Sequence, residues 1–92
     1  SMKNSEEKEQ LIEFPCDFSI KVIGKDCPEF LNSISEIMRS HSQVYSEKNA
    51  KKNKSKKGNY ISITCDVYVT SQNELDKIYV DLSKNKNILF VL

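Results

Sequence analysis

A chain of 92 residues has room for one hydrophobic core, since domains run to roughly 100–200 residues. Leu, Ile, Val and Phe together number 25 against a formal charge of +1, which excludes a wholly disordered chain and a strongly basic one. The longest apolar run, Ile88–Leu92, is far too short to span a bilayer, and the charged N-terminal residues do not read as a secretory leader.

The first thirteen residues set Lys3 and Lys8 against Glu6, Glu7, Glu9 and Glu13, a local charge of −2. Ser5–Ile12 could wind into a short helix, but one too short to persist undocked. Residues 1–13 are therefore expected to form a flexible arm anchored near Leu11, Ile12 and Phe14, with one domain over 14–92. Pro15 biases Phe14 toward extended backbone. From Cys16 to Ile23 the residues alternate, Phe18, Ile20 and Val22 against Asp17, Ser19 and Lys21, which predicts a half-buried strand ended by Gly24.

Asp26 with Glu29 three residues on resembles a capping box, and Pro28 suits a first helical turn. Phe30, Leu31, Ile34, Ile37, Met38 and His41 then recur at helical spacing, so Pro28–Ser40 reads as an amphipathic helix whose apolar stripe is core. Residues 43–50 read as a weak strand through Val44 and Tyr45. Lys48, Lys51, Lys52, Lys54, Lys56 and Lys57 follow as six cations in ten residues without an acid, read as a hairpin loop closed by a Gly58-Asn59 turn. Ile61, Ile63, Cys65, Val67 and Val69 alternate with polar residues in the clearest strand of the chain. Ser71 and Glu74 form a second capping box, ahead of a helix marked by Leu75, Ile78, Tyr79 and Leu82. Ile88, Leu89, Phe90, Val91 and Leu92 close the chain as a strand apolar on both faces.

The order β-α-β-β-α-β predicts an α+β, ferredoxin-like sandwich: a four-stranded antiparallel sheet, order 4-1-3-2, with two helices on one face. The other face is left polar, as a one-sided antiparallel sheet requires.

Glu13-Phe14-Pro15 with Phe18 and Lys21-Val22-Ile23-Gly24, then Gly58-Asn59-Tyr60 and the terminal Val91-Leu92, resemble the YbeD-like family of small bacterial proteins over roughly residues 11–92. The resemblance implies a ferredoxin-like fold close to ACT regulatory domains and an association with lipoate-pathway genes. It implies no functional residues. The lysine-rich connection before Gly58 looks longer and more basic than the family pattern.

Two features invite a functional reading. The lysines from Lys48 to Lys57 could hold an anionic partner, or act as a solvated loop that blunts a sheet edge. No Arg accompanies them to grip phosphate in two places. The terminal strand Ile88–Leu92 would sit at a sheet edge with half its apolar surface uncovered, to be met by the arm or by another chain.

The remaining features favour structure over chemistry. Tyr60 and Tyr68 lie on the open face but about 26 Å apart, too far for one base-stacking platform, with Asp66 between them. Acylphosphatases use this topology with an arginine in a phosphate loop, whereas the lone Arg39 lies within the predicted helix. Cys16, Cys27 and Cys65 are an odd number without a CxxC pair, which reads as reduced thiols in a cytoplasmic protein. Cys27 near a helix start is the one thiol placed for reactivity, but His41 falls at the far end of the same helix. Neither a metal site nor a cofactor is expected.

The function expected is a non-catalytic regulatory or interaction module binding a protein partner or small metabolite, or a second copy through a sheet edge. An anion- or nucleic-acid-binding accessory protein using the lysines is the alternative, and a thiol enzyme using Cys27 the outlier.

Overall fold

In the computed structural model, which describes residues 12–92, the elements are β1 (Cys16–Lys25), α1 (Pro28–Ser40), β2 (Lys51–Lys54), β3 (Tyr60–Val69), α2 (Gln72–Lys84) and β4 (Phe90–Val91). The four strands form one antiparallel sheet in the order β2-β3-β1-β4. This is the ferredoxin-like arrangement that the periodicity predicts. The expected arm, residues 1–13, lies outside the described residues except for Ile12 and Glu13.

The centre of the sheet is the long β1–β3 ladder, in register from Cys16↔Val69 to Lys25↔Tyr60. Its inward residues Ile20, Val22, Ile61, Ile63, Cys65, Val67 and Val69 are buried. They meet Phe30, Ile34 and Met38 from α1 and Leu75, Ile78 and Leu82 from α2, so both helices cover the same face. Phe18 and Tyr79 extend this core edge-to-face, with ring centroids 6.5 Å apart.

Four local expectations are corrected. Gly24 does not end β1; it pairs with Ile61 inside the strand. A Cβ there would overlap the Phe30 ring and stand 2.9 Å from the Asn87 carbonyl, so glycine is required by close packing. Asp26 does not cap α1: the N-cap is Cys27, without a side-chain hydrogen bond, and the Asp26 carboxylate instead pairs with Lys54 Nζ at 3.2 Å. Residues 43–50 are not a strand. Val44 is almost fully exposed, and the lysine-rich segment expected to be a loop supplies β2 itself. Finally, β4 has only two ladder residues, although backbone bonds extend its attachment at Leu89 and Leu92.

Other expectations stand. Pro28 opens α1, and the Glu74 N–H donates to the Ser71 hydroxyl at 3.1 Å as the N-cap of α2. The end of α1 is a Schellman turn, with Gln43 N–H donating to Met38 C=O and Ser42 N–H to Arg39 C=O, and Ser42 takes the left-handed conformation at φ 56°. Gly58, at φ 73°, closes the β2–β3 turn.

Candidate interaction surface

The sheet face away from the helices is uncovered, and the ladder fixes which residues share it. Across one row run Lys51, Thr64 and Lys21; across the next, Asn53, Ser62, Ile23 and Phe90. Ser19 and Asp66 form a third pair, the Ser19 hydroxyl donating to the Asp66 carboxylate at 2.6 Å. Tyr68 and Asp17 lie beyond them at one end, Tyr60 and Lys25 at the other. The tyrosines share the face as expected, with the acidic pair Asp17 and Asp66 close to Tyr68.

Two shallow grooves mark this face. One of about 360 Å³ is lined by Lys21, Ile23, Asn53, Tyr60, Ser62 and Leu92. The other, about 570 Å³, lies between Ser19, Lys51, Thr64 and Asp66 on the strands and Tyr45 and Asn49 on the connection to β2. Mixed hydroxyls, lysines and small apolar surface suit a peptide or another protein surface better than an aromatic stack.

The candidate lysines divide by position. Lys51, Lys52 and Lys54 lie in β2, Lys56 and Lys57 in the turn after it, and Lys48 in the turn before it. Lys52 Nζ donates to the Glu47 carboxylate at 2.8 Å, and Lys54 is paired with Asp26, so those two charges are already answered. Among the described residues Lys48, Lys51, Lys56 and Lys57 have no ion-pair partner. They do not converge on one point; they ring a short exposed edge.

The second candidate surface is the opposite edge. Lys21 N–H donates to Leu92 C=O, Leu92 N–H to Lys21 C=O and Leu89 N–H to Ile23 C=O, at 2.8–3.0 Å, which fixes the terminal segment to β1. Ile88 turns into the core and Val91 is half-buried, whereas Leu89, Phe90 and Leu92 are 49%, 64% and 68% exposed. Ile12 and Phe14 precede the far end of β1, whose first residue, Cys16, lies six residues and about 20 Å along the strand from the Val22–Val91 pair.

Candidates for chemistry fall apart spatially. Cys27 precedes α1 and His41 follows it, with thirteen helical residues between, about 20 Å of rise. His41 instead bridges the helices, its Nε2–H donating to the Asp81 carboxylate at 2.7 Å. That hydrogen bond is the main reason Asp81 is held below the usual carboxylate range, with the charges of His41 and Lys84 adding to it. Cys65 is buried in the core, and burial pushes its thiol up to about 12, so it is inert. No cluster of His, Cys, Asp or Glu among the described residues could hold a metal ion, and no described helix is long and apolar enough to cross a membrane.

Gln43 is the residue the sequence did not flag. Its side-chain amide donates to Tyr68 C=O at 2.9 Å and accepts from Tyr68 N–H at 2.8 Å, standing in for a strand where β2 is too short to reach. Nothing in local periodicity reports such a contact. Lys21 and Ile23 also line one groove with Leu92, where the sequence signals are the outward parity of Lys21 and the terminal apolar run.

Comparison with known proteins agrees with this architecture. The solution structure of protein HP0495 from Helicobacter pylori superposes with a TM-score of 0.71, at 20% identity, over 96% of this chain and 92% of that one. Among sequence relatives, a UPF0250 protein of Vesicomyosocius okutanii is 38% identical over 84 residues, 91% of each chain. One from Chromobacterium violaceum is 35% identical over 88 residues, 96% of this chain and 99% of the relative. The UPF0250 protein of Neisseria gonorrhoeae is 38% identical over 91 residues, 99% and 100% of the two chains. A family model described as a protein of unknown function (DUF493) matches residues 9–92. The chain therefore belongs to the DUF493 (UPF0250, YbeD-like) family of small bacterial proteins.

Proposed function

We propose that the protein is a non-catalytic regulatory or interaction module that engages a protein partner, or a second copy of itself, along the β4 edge and the adjoining open face. The observation that carries this reading is the exposure of Leu89, Phe90 and Leu92 on a segment already bonded to β1 along its other side. Burying such side chains is worth about 25 cal/mol per Å² of apolar surface, so an unshielded set favours association. The separation of Cys27 from His41 supports the non-catalytic part. The three free thiols fit a reducing compartment such as the cytoplasm. The family resemblance makes lipoate-pathway proteins the first partners to try, and the open-face grooves are where a small metabolite would be sought.

The test is sedimentation at micromolar concentration, with affinity capture of the wild type and of a Phe90→Ser, Leu92→Ser double variant. Both residues are exposed, so the variant should keep its unfolding midpoint. The reading expects a dimer or one stoichiometric protein with the wild type and neither with the variant. A wild-type monomer without a protein partner overturns it.

A second reading, anion or nucleic-acid binding, is favoured by the unanswered charges of Lys48, Lys51, Lys56 and Lys57. It predicts salt-sensitive filter retention of an anionic polymer that falls when these lysines are neutralised. Equal retention by both proteins overturns that reading.

A further inference from the structure

The β2 edge offers hydrogen bonds whose phase can be worked out. In an antiparallel ladder, residues that exchange both backbone bonds alternate with residues whose N–H and C=O point away from the partner. Ser55 N–H donates to Tyr60 C=O at 2.9 Å, which makes that pair a bonded one. Stepping back through Lys54↔Ile61, Asn53↔Ser62, Lys52↔Ile63 and Lys51↔Thr64 makes Asn53 and Lys51 the bonded residues. Lys52 and Lys54 therefore turn their N–H and C=O groups outward from the sheet, and all four residues of β2 are exposed.

Their side chains divide the other way. Lys52 and Lys54 lie on the helix side, tied to Glu47 and Asp26. Lys51 stands on the open face in a row with Thr64 and Lys21, while Lys48 and Lys56–Lys57 flank the strand at its two ends. The edge thus presents donors and acceptors at the spacing of a strand, in a setting of unanswered positive charge.

We propose that β2 accepts an extended acidic segment of a partner protein as a fifth strand, an inference that rests on the interaction-module reading and gives it a second surface. An added strand supplies donors for the outward carbonyls of Lys52 and Lys54 as well as acceptors for their N–H groups. A phosphodiester backbone has no donor for those carbonyls, which favours a polypeptide over nucleic acid. Lysine on an edge disfavours neutral pairing partners, which would strip water from the ammonium without answering its charge, and repels a second copy of the same edge. Carboxylates at alternate positions of the incoming strand remove that barrier by facing Lys51 and the flanking lysines.

The experiment is a titration of the full chain, followed by amide NMR at low salt, with a capped eight-residue peptide of alternating Glu and Thr. Binding should slow amide exchange at Lys52 and Lys54, with little change at Lys51 and Asn53, and should weaken as salt rises. Lys52→Pro removes an outward donor without removing a β2–β3 bond, and should weaken binding at least tenfold with the β1–β3 amide pattern unchanged. The same peptide N-methylated at every residue keeps its charges and loses its donors, so it should fail on the unaltered protein even if the proline variant does not fold. Lys51→Glu should reverse the preference toward an alternating Lys and Thr peptide. Absence of shifts at millimolar peptide, equal binding of the N-methylated peptide, or equal binding of a single-stranded DNA oligomer overturns the proposal. None of these outcomes bears on the Phe90 and Leu92 test, so the two readings fail separately.

Discussion

The Tyr45 hydroxyl is buried and has no hydrogen-bond partner among the described residues. Burial, with the neighbouring Cys65 and Glu47, pushes its pKa up to about 12. An unpaired buried polar group costs about 1–3 kcal/mol. Tyr45→Phe keeps the ring and deletes that group, so it should raise stability by about 1 kcal/mol in urea unfolding, and a loss of stability would show that the hydroxyl has a partner. Asp81 gives a pH-dependent counterpart. Its folded pKa lies below the ordinary 3.8, first because His41 hydrogen-bonds its carboxylate. A depressed carboxylate pKa contributes stability that is complete above the unfolded value and disappears as pH falls through the folded one. Asp81→Asn should therefore lower the unfolding midpoint at pH 6, and the gap between the two proteins should narrow as pH falls below the ordinary carboxylate range.

Elements whose period reflects their own packing were readable before folding. The central strands and both helices carry their buried sides in the sequence, because Ile20 and Val22, or Leu75, Ile78 and Leu82, face the same core at every repeat. β2 lacks such a signal. It buries nothing, and its strand character comes from pairing with β3 across the Gly58 turn. The roles of Gly24 and Asp26 rest on tertiary contacts that local pattern does not report, with the Phe30 ring and Asn87 carbonyl for the first and the Lys54 ammonium for the second. Gly24→Ala checks the first of these. Its Cβ would overlap a fully buried ring, and overpacking typically costs 1–3 kcal/mol. We expect a loss of about 2–3 kcal/mol, and a loss under 0.5 kcal/mol would mean that Phe30 moves aside freely. Of the candidate surfaces, the terminal strand was legible as apolar on both faces, whereas the outward bonding of Lys52 and Lys54 depends on register, which composition does not encode.

At the scale of the whole molecule, one core is enclosed between a sheet and two helices, and the sheet ends in two unlike edges. One is short and cationic; the other is apolar and held by β1. The three thiols report on how that core opens. Cys16 and Cys27 are partly exposed while Cys65 is buried at the sheet centre. A thiol reagent should label the first two rapidly and Cys65 only through unfolding. The slow step should then share the denaturant dependence of global unfolding, whereas rapid labelling of all three would show that the core opens locally.

The pairing of Gln43 with Tyr68 has a consequence for ageing of the protein. There a side-chain amide, and not a neighbouring strand, seals the margin of β3. Hydrolysis of that amide to a carboxylic acid would replace its NH₂ with oxygen and set a lone pair against the Tyr68 carbonyl. Deamidation at this single nitrogen would uncover the β2-side margin of β3 at Tyr68, while the pairing of β3 with β1 persists on its other side.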